Sequence, residues 1–385
     1  MRTSDGIFIT GVPRSGTTLL AAVLASHPRI SCGPETHVFS NLNDEIVRRI
    51  TQRDGWPGEA LQYLLSLENF GNNVIHNYGL RLSEIQDYLS TRPREIGSLL
   101  TALTELYARR QGKPLWAEKT PNHLASVTTL RQAFPRARII RIVRDSRDVA
   151  LSVNRLPWGP DTQFESALQW KWYDQQSRHF FETDKQCTTI RYEDLVKQPR
   201  ATIGELCDFL GETFHPAMLE PQRAEKHVNR TGEPWKKKVA SPIFDHHVGR
   251  WKQTIDPLEN RRVEALLGDR LLAFGYPLVN HFSRSAAVFP PVLEDPRLWS
   301  NLPADVRLWQ KHQLESNKIS IFLGDPAEWL RRRGVRRLSK ALRLSVRVLG
   351  ARMISSKVCW YRDTTQPTRD FCSKIVRRVL ERSAA

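Results

Sequence analysis

Apolar residues along the chain gather in three short bursts, each running straight into polar residues. They are Ile7-Phe8-Ile9-Thr10, Ala137-Arg138-Ile139-Ile140-Arg141-Ile142-Val143 and Cys187-Thr188-Thr189-Ile190-Arg191-Tyr192. Short runs rich in β-branched residues and bounded by polar or turn residues predict strands. Between them the apolar positions recur at helical spacing, after Thr17 (Leu19, Leu20, Val23, Leu24), over Ile96 to Arg110 and over Phe164 to Glu182. Strands alternating with helices imply a parallel sheet covered on both faces, an α/β domain. Ligands of such sheets sit at the carboxyl ends of the strands. All three strands run out into loops rich in Arg, Asp, Glu or Ser, so the chemistry is expected there.

The first of these loops is Gly11-Val12-Pro13-Arg14-Ser15-Gly16-Thr17-Thr18. Its Gly-x-x-x-x-Gly spacing, between a strand and a helix, is that of a loop that wraps a phosphate in backbone N–H groups. The helix starting near Thr17 adds partial positive charge and unpaired donors. Hydrolases of ATP and GTP place a Lys after the second Gly; here that residue is Thr17, and the cation is Arg14 inside the loop. A Walker-type acid for Mg²⁺ is also wanting, because the only candidate, Asp145, lies in an Arg-rich run. The loop therefore predicts a phosphate-like group that is not the end of ATP. A second candidate anion site is Arg144, a fork donor at a strand end, with Ser152 about two turns along a helix starting near Ser146. The alternative for this run is a solvated Arg/Asp cluster in which Asp145 and Asp148 suit a helix start.

Taken together, these segments resemble the sulfotransferases that use 3′-phosphoadenosine 5′-phosphosulfate (PAPS), nearest the branch that includes the tyrosylprotein enzymes and many bacterial relatives. Phe8 to Phe39, with His27-Pro28 and Gly33-Pro34-Glu35-Thr36, is similar to the family's 5′-phosphosulfate loop. Ile142 to Ser152 is similar to its 3′-phosphate motif. Trp116-Ala117-Glu118-Lys119-Thr120-Pro121, Arg191-Tyr192-Glu193-Asp194-Leu195 and Gly249-Arg250-Trp251-Lys252 follow in the family's order, over roughly residues 7 to 280. The resemblance implies a P-loop nucleotide-kinase-like sheet flanked by helices. It also implies PAPS held by Pro13, Arg14, Ser15, Gly16, Thr17 and Thr18 at the 5′ end and by Arg144 and Ser152 at the 3′ end, with Tyr192 on the adenine. Glu35 would be the general base. Lys119 and Arg14 would neutralise the sulfuryl or bridging oxygens, and no metal is needed. The alternatives for these groups are a helix N-terminal acid for Glu35 and a surface lysine for Lys119. The chain departs from cytosolic members where they carry Arg-Lys-Gly before Gly-x-Trp-Lys. Ser241 to His247 stands there instead, with Lys236-Lys237-Lys238 or Ser241 as replacements and His246-His247 read as structural.

Composition and charge add to this picture. The apolar fraction of 40%, with 11 Trp and 15 Phe, fills a core and excludes a disordered chain. Five scattered cysteines (Cys32, Cys187, Cys207, Cys359, Cys372) without a C-x-x-C pair predict reduced thiols rather than disulfides or zinc. No apolar run approaches the roughly 20 residues of a membrane span, so a cytoplasmic protein is expected. The net charge of +17 is concentrated in residues 326 to 385, where sixteen Lys or Arg face four acids. Within this stretch Leu338, Leu342, Val346, Leu349 and Met353 fall at helical spacing, apart from most of the arginines, as in a basic amphipathic helix.

The domain boundaries expected are a catalytic domain over 1–280, a Pro- and Ser-rich connector over 281–325 and this helical extension over 326–385. The extension fits a peripheral contact with an anionic membrane, a grip on a polyanionic acceptor, or a helix packed on the catalytic domain with a solvated basic face. Nucleic acid is disfavoured, because the tail lacks regularly interleaved aromatics. For the whole chain the rival functions are a P-loop nucleotide kinase-like phosphotransferase and a polyanion-binding module. The acceptor, a hydroxyl of a tyrosyl peptide, glycan, lipid or small alcohol, stays open. Trp158-Gly159-Pro160 and the helices before Lys119 are expected to shape its pocket.

Overall fold

The computed structural model describes residues 6–40, 42–69, 72–156, 159–160, 162–229 and 242–280. The expected connector and basic extension lie outside the described residues, as do Trp158, Lys236-Lys237-Lys238 and Ser241. The chain divides into one unit of Met1–Asn154 with Pro160–Asp295, which holds every residue discussed below, and a second of Arg155–Gly159 with Pro296–Ala385. Among the described residues no helix is long and apolar enough to cross a membrane.

Among the described residues seven strands occur in chain order: β1 Ile7–Thr10, β2 Ile30–Cys32, β3 Glu68–Asn69, β4 Asn72–Asn73, β5 Leu115–Lys119, β6 Arg138–Val143 and β7 Cys187–Arg191. Strands β3 and β4 form a two-stranded antiparallel ribbon. The other five make one sheet in the order β2-β5-β1-β6-β7, with every pair parallel. The α/β class predicted from the alternation is thus observed, with β1 at the centre. Register places Ile9 opposite both Lys119 and Ile140, so the loops after β1, β5 and β6 leave from one edge.

Side-chain alternation along β1 explains how the sheet is buried. Ile7 and Ile9 join Leu20, Leu24, Ile30 and Ile140 in one apolar cluster. Phe8 points the other way, into an aromatic group with Trp116 and Phe134 at ring separations of 5.2–5.7 Å. Within this sheet two strands, β2 and β5, are additions to the three read from the sequence. β2 is only three residues long. β5 reads Leu-Trp-Ala-Glu-Lys, and its last two residues are charged yet fully buried, so hydropathy conceals it. Tyr192 opens the helix Tyr192–Lys197 instead of closing β7. The long helix runs Gln163–Thr183 and starts at a capping box in which Thr162 and Glu165 satisfy each other's backbone N–H groups.

Candidate functional site

The loop after β1 ends at Gly16, whose φ of 103° only glycine adopts without strain, and the helix Thr17–Ala25 begins there. That helix start has no side-chain cap and no acid in its first turn, which leaves its leading N–H groups without intrahelical acceptors. Ser15 is buried, and its hydroxyl has no hydrogen-bond partner among the described residues. Arg14 is held at φ 76°, a left-handed conformation that costs about 1 kcal/mol or more in a non-glycine residue. Pro13, Gly16 and Thr18 are half-buried and Thr17 is buried. An uncapped nine-residue helix start, a strained cationic loop residue and an orphaned buried hydroxyl together fit an anion.

A Cβ added to Gly16 would lie 2.5 Å from the Tyr192 ring, so the glycine also makes room for that ring. Gly16→Ala is therefore expected to cost more than about 2 kcal/mol, combining left-handed strain with the clash. Gly211→Ala, at φ 73° with open space around it, pays the strain alone and should cost about 1 kcal/mol. Thermal melts of the two variants check the difference; equal shifts would remove the Tyr192 contact from the account.

The second motif lies against this loop. The helix Ser146–Val153 follows β6, with Asp145 as its N-cap. Arg14 Nε donates to Ser152 Oγ at 3.2 Å, and Arg144 donates to the Arg14 carbonyl at 3.3 Å and to the His247 carbonyl at 2.6 Å. The Arg144 guanidinium lies 4.5 Å over the Tyr192 ring, and its Nε is buried without a partner among the described residues. Burial keeps the Tyr192 phenol above its ordinary value, with the Arg144 charge pulling the other way, so the ring stays neutral beside the cation.

The reading of residues 144–148 as a solvated Arg/Asp cluster is overturned. Asp145, Arg147 and Asp148 are all buried. Arg147 pairs with Asp145 at 2.8 Å and Glu264 at 2.6 Å, and lies 3.6 Å over the Trp251 ring. Asp148 accepts from the backbone N–H groups of Gly249 and Trp251 at 2.7 and 2.9 Å. The Gly-x-Trp-Lys segment is thereby docked beside Arg144. His247 contributes its backbone carbonyl there.

Glu35 and Lys119 meet. Lys119 Nζ donates to Glu35 Oε1, and His37 Nε2 is 3.4 Å from Glu35 Oε2. Lys119 is completely buried at the end of β5, which overturns its reading as a surface lysine. Glu35 sits in the loop between Gly33 and Phe39 and is 9% exposed, so it is not a helix N-terminal acid either. This pair belongs to the same sheet edge as the loop after β1, because Gly11 N–H donates to the Pro121 carbonyl at 3.4 Å. Burial pushes the nearby Cys32 thiol up to about 12, which leaves it no thiolate with which to compete as a nucleophile.

The catalytic and donor-binding residues expected from the sequence that the structure describes therefore lie on one edge of the sheet, in two joined groups. Arg14, Arg144, Ser152 and Tyr192 interlock around the uncapped helix start, and Glu35 with Lys119 lies at the neighbouring strand end. Sequence reasoning missed His37, Glu118, His123 and the docking roles of Arg147 and Asp148. The positive φ of 55° at His37 has no signature in a lone histidine.

Comparison with known proteins agrees with this geometry. Residues 6–216 match the model of the family described as the sulfotransferase family, more than half of the chain. Among curated proteins, a putative protein-tyrosine sulfotransferase of Caenorhabditis briggsae is 26% identical over 220 residues, 55% of this chain and 68% of that protein. Protein-tyrosine sulfotransferase 1 of Danio rerio is 27% identical over 285 residues, 70% of this chain and 72% of that protein. The sulfotransferase domain of the Synechococcus olefin synthase shares the fold at a TM-score of 0.51 and 22% identity, over 72% of this chain and 97% of that domain. With the family model matched over more than half of its length, the chain belongs to the sulfotransferase family.

Proposed function

We propose that this protein moves a sulfuryl group from PAPS to a hydroxyl acceptor by in-line displacement, with Glu35 as the general base. The observation that carries the reading is the contact of the Glu35 carboxylate with the Lys119 ammonium beside the uncapped helix start at Thr17. Glu35 takes the proton of the acceptor hydroxyl as the acceptor oxygen bonds to sulfur. The bond from sulfur to the 5′-phosphate oxygen breaks, and adenosine 3′,5′-bisphosphate leaves. Proton uptake cancels the charge of Glu35, which releases the Lys119 ammonium to meet charge developing on the sulfuryl and bridging oxygens. Arg14 acts on the same oxygens from the loop.

The groups available fit such a donor. The N–H groups at Gly16, Thr17 and Thr18 and the Ser15 hydroxyl suit the 5′-phosphate, with Pro13 shaping the turn. Arg144, with an orphaned Nε, and Ser152 suit the 3′-phosphate. Tyr192 offers a neutral ring to the adenine. The names of the curated relatives make a tyrosyl peptide the first acceptor to try.

Adenosine 3′,5′-bisphosphate in Mg²⁺-free buffer is expected to raise the melting temperature, by the equivalent of about 2.7 kcal/mol at a hundred times its Kd. ATP under the same conditions should not. Equal stabilisation by ATP would favour a phosphotransferase and overturn the reading. Transfer of label from sulfur-labelled PAPS to a tyrosyl peptide, against glycan, lipid and small-alcohol hydroxyls, then identifies the acceptor class.

A further inference from the structure

We infer that Glu118 is a positioning residue for the reaction, holding through Thr36, Thr120 and His123 the loop that presents Glu35 to Lys119. The inference rests on Glu35 being the base. Consecutive residues of β5 bind consecutive residues of the loop: Lys119 meets Glu35, and Glu118 Oε1 accepts from Thr36 Oγ1 at 2.9 Å. Glu118 Oε1 also accepts from Thr120 Oγ1 at 2.6 Å, and Oε2 lies 3.0 Å from His123 Nδ1. With its proton given to Glu118, the Thr120 hydroxyl turns its lone pairs to the loop and accepts from Thr36 N–H at 3.1 Å and His37 N–H at 3.2 Å. Phe39 N–H donates to His123 Nε2 at 3.2 Å, which makes Nδ1 the protonated nitrogen that donates to Glu118. One carboxylate thus orients, through two side chains, three backbone donors in the four residues that follow Glu35.

Glu118, Thr120 and His123 are wholly buried. Burial pushes the Glu118 carboxyl up, and the adjacent His123 with the three hydrogen bonds brings it below its ordinary value, so it is ionised. A buried carboxylate is a costly way to fill space, and apolar residues serve a purely structural role at least as well. Here every donor it binds belongs to, or holds, the loop of the base. The rest of that loop has other anchors. Tyr78 Oη donates to the Pro34 carbonyl at 2.9 Å and Tyr63 Oη to the Val38 carbonyl at 2.7 Å, so a change at Glu118 shifts the loop locally without releasing it.

Glu118→Gln turns an NH₂ group toward one of the three donors. The nucleotide site contains no residue of this network, so the Kd of adenosine 3′,5′-bisphosphate should stay within about twofold, while kcat per nucleotide-binding site falls about a hundredfold. In the Glu35→Ala background the same substitution should leave the residual single-turnover rate unchanged, because its effect passes through Glu35. Thr120→Val keeps the shape, removes only the hydroxyl and should lower kcat about tenfold; it carries the test if Glu118→Gln does not fold. An unchanged kcat in a folded Glu118→Gln or, failing that, in Thr120→Val overturns the inference. So does a loss that persists in full without Glu35. Turnover retained in Glu35→Ala alone would instead overturn the assignment of the base, a separable result.

Discussion

Glu35→Ala is expected to lower turnover by about 10²- to 10⁴-fold, the range that a positioned general base contributes. Binding of adenosine 3′,5′-bisphosphate should stay within about twofold, because the groups that suit its phosphates are the anion loop, Arg144 and Ser152, whereas Glu35 acts on the acceptor. Glu35→Gln keeps the volume and a hydrogen-bond acceptor for Lys119 but cannot take a proton at neutral pH. It should lose turnover to the same extent, which separates the proton-transfer role from any loss of packing around the buried ammonium. Nucleotide titration by calorimetry and single-turnover transfer from labelled PAPS measure the two quantities independently. Lost binding with surviving turnover would sink the assignment, since a base acts on the acceptor and not on the donor's phosphates.

Arg144→Ala is expected to weaken adenosine 3′,5′-bisphosphate by about a hundredfold, close to 3 kcal/mol, while adenosine 5′-monophosphate loses only a few-fold. The large term comes from removing a desolvated, charge-assisted donor from the 3′-phosphate. The small term comes from the carbonyls of Arg14 and His247, which lose the hydrogen bonds that Arg144 gives them and so loosen the 5′ loop and the Gly-x-Trp-Lys segment. Calorimetric Kd values for both nucleotides on both proteins give the ratio directly. Equal losses for the two ligands would place Arg144 at the 5′ end or make it a purely structural brace. Arg144→Lys retains the charge but not the fork, and is expected to recover only part of the affinity.

Much of this site could be read along the chain because its parts are contiguous. A strand, a glycine pair spaced by four residues and a helix start are adjacent in sequence, so Gly11 to Thr18 announces an anion loop before any contact is known. Arg144 and Ser152 are likewise spaced by one short helix. The substitution of Thr17 for the usual Lys is a local fact that argues against ATP. Less could be read where burial contradicts composition. Strand β5 ends in Glu118 and Lys119, letters that suggest a surface turn. Their partners Thr36 and Glu35 lie 82 and 84 residues earlier, and such partners help make burial tolerable. Asp145, Arg147 and Asp148 misled in the same way: read as a solvated helix start, they are buried by Glu264, Trp251 and Gly249, which arrive from more than 100 residues away.

The sequence by itself determined the α/β class, the edge of the sheet at which chemistry gathers, the anion loop and the identity of the candidate base and cations. The class, the edge and the loop rest on residue types at short spacing, where backbone geometry leaves few alternatives, whereas the base and cations rest on the family resemblance of the motifs that carry them. Only the tertiary structure decided that Glu35 meets Lys119, that Arg14 reaches Ser152, and that Glu118 organises the loop between them. Those are pairings of charged and polar groups brought together by strand order β2-β5-β1-β6. Desolvation makes such pairings strong, and nothing in the local chain encodes which distant partner will satisfy them.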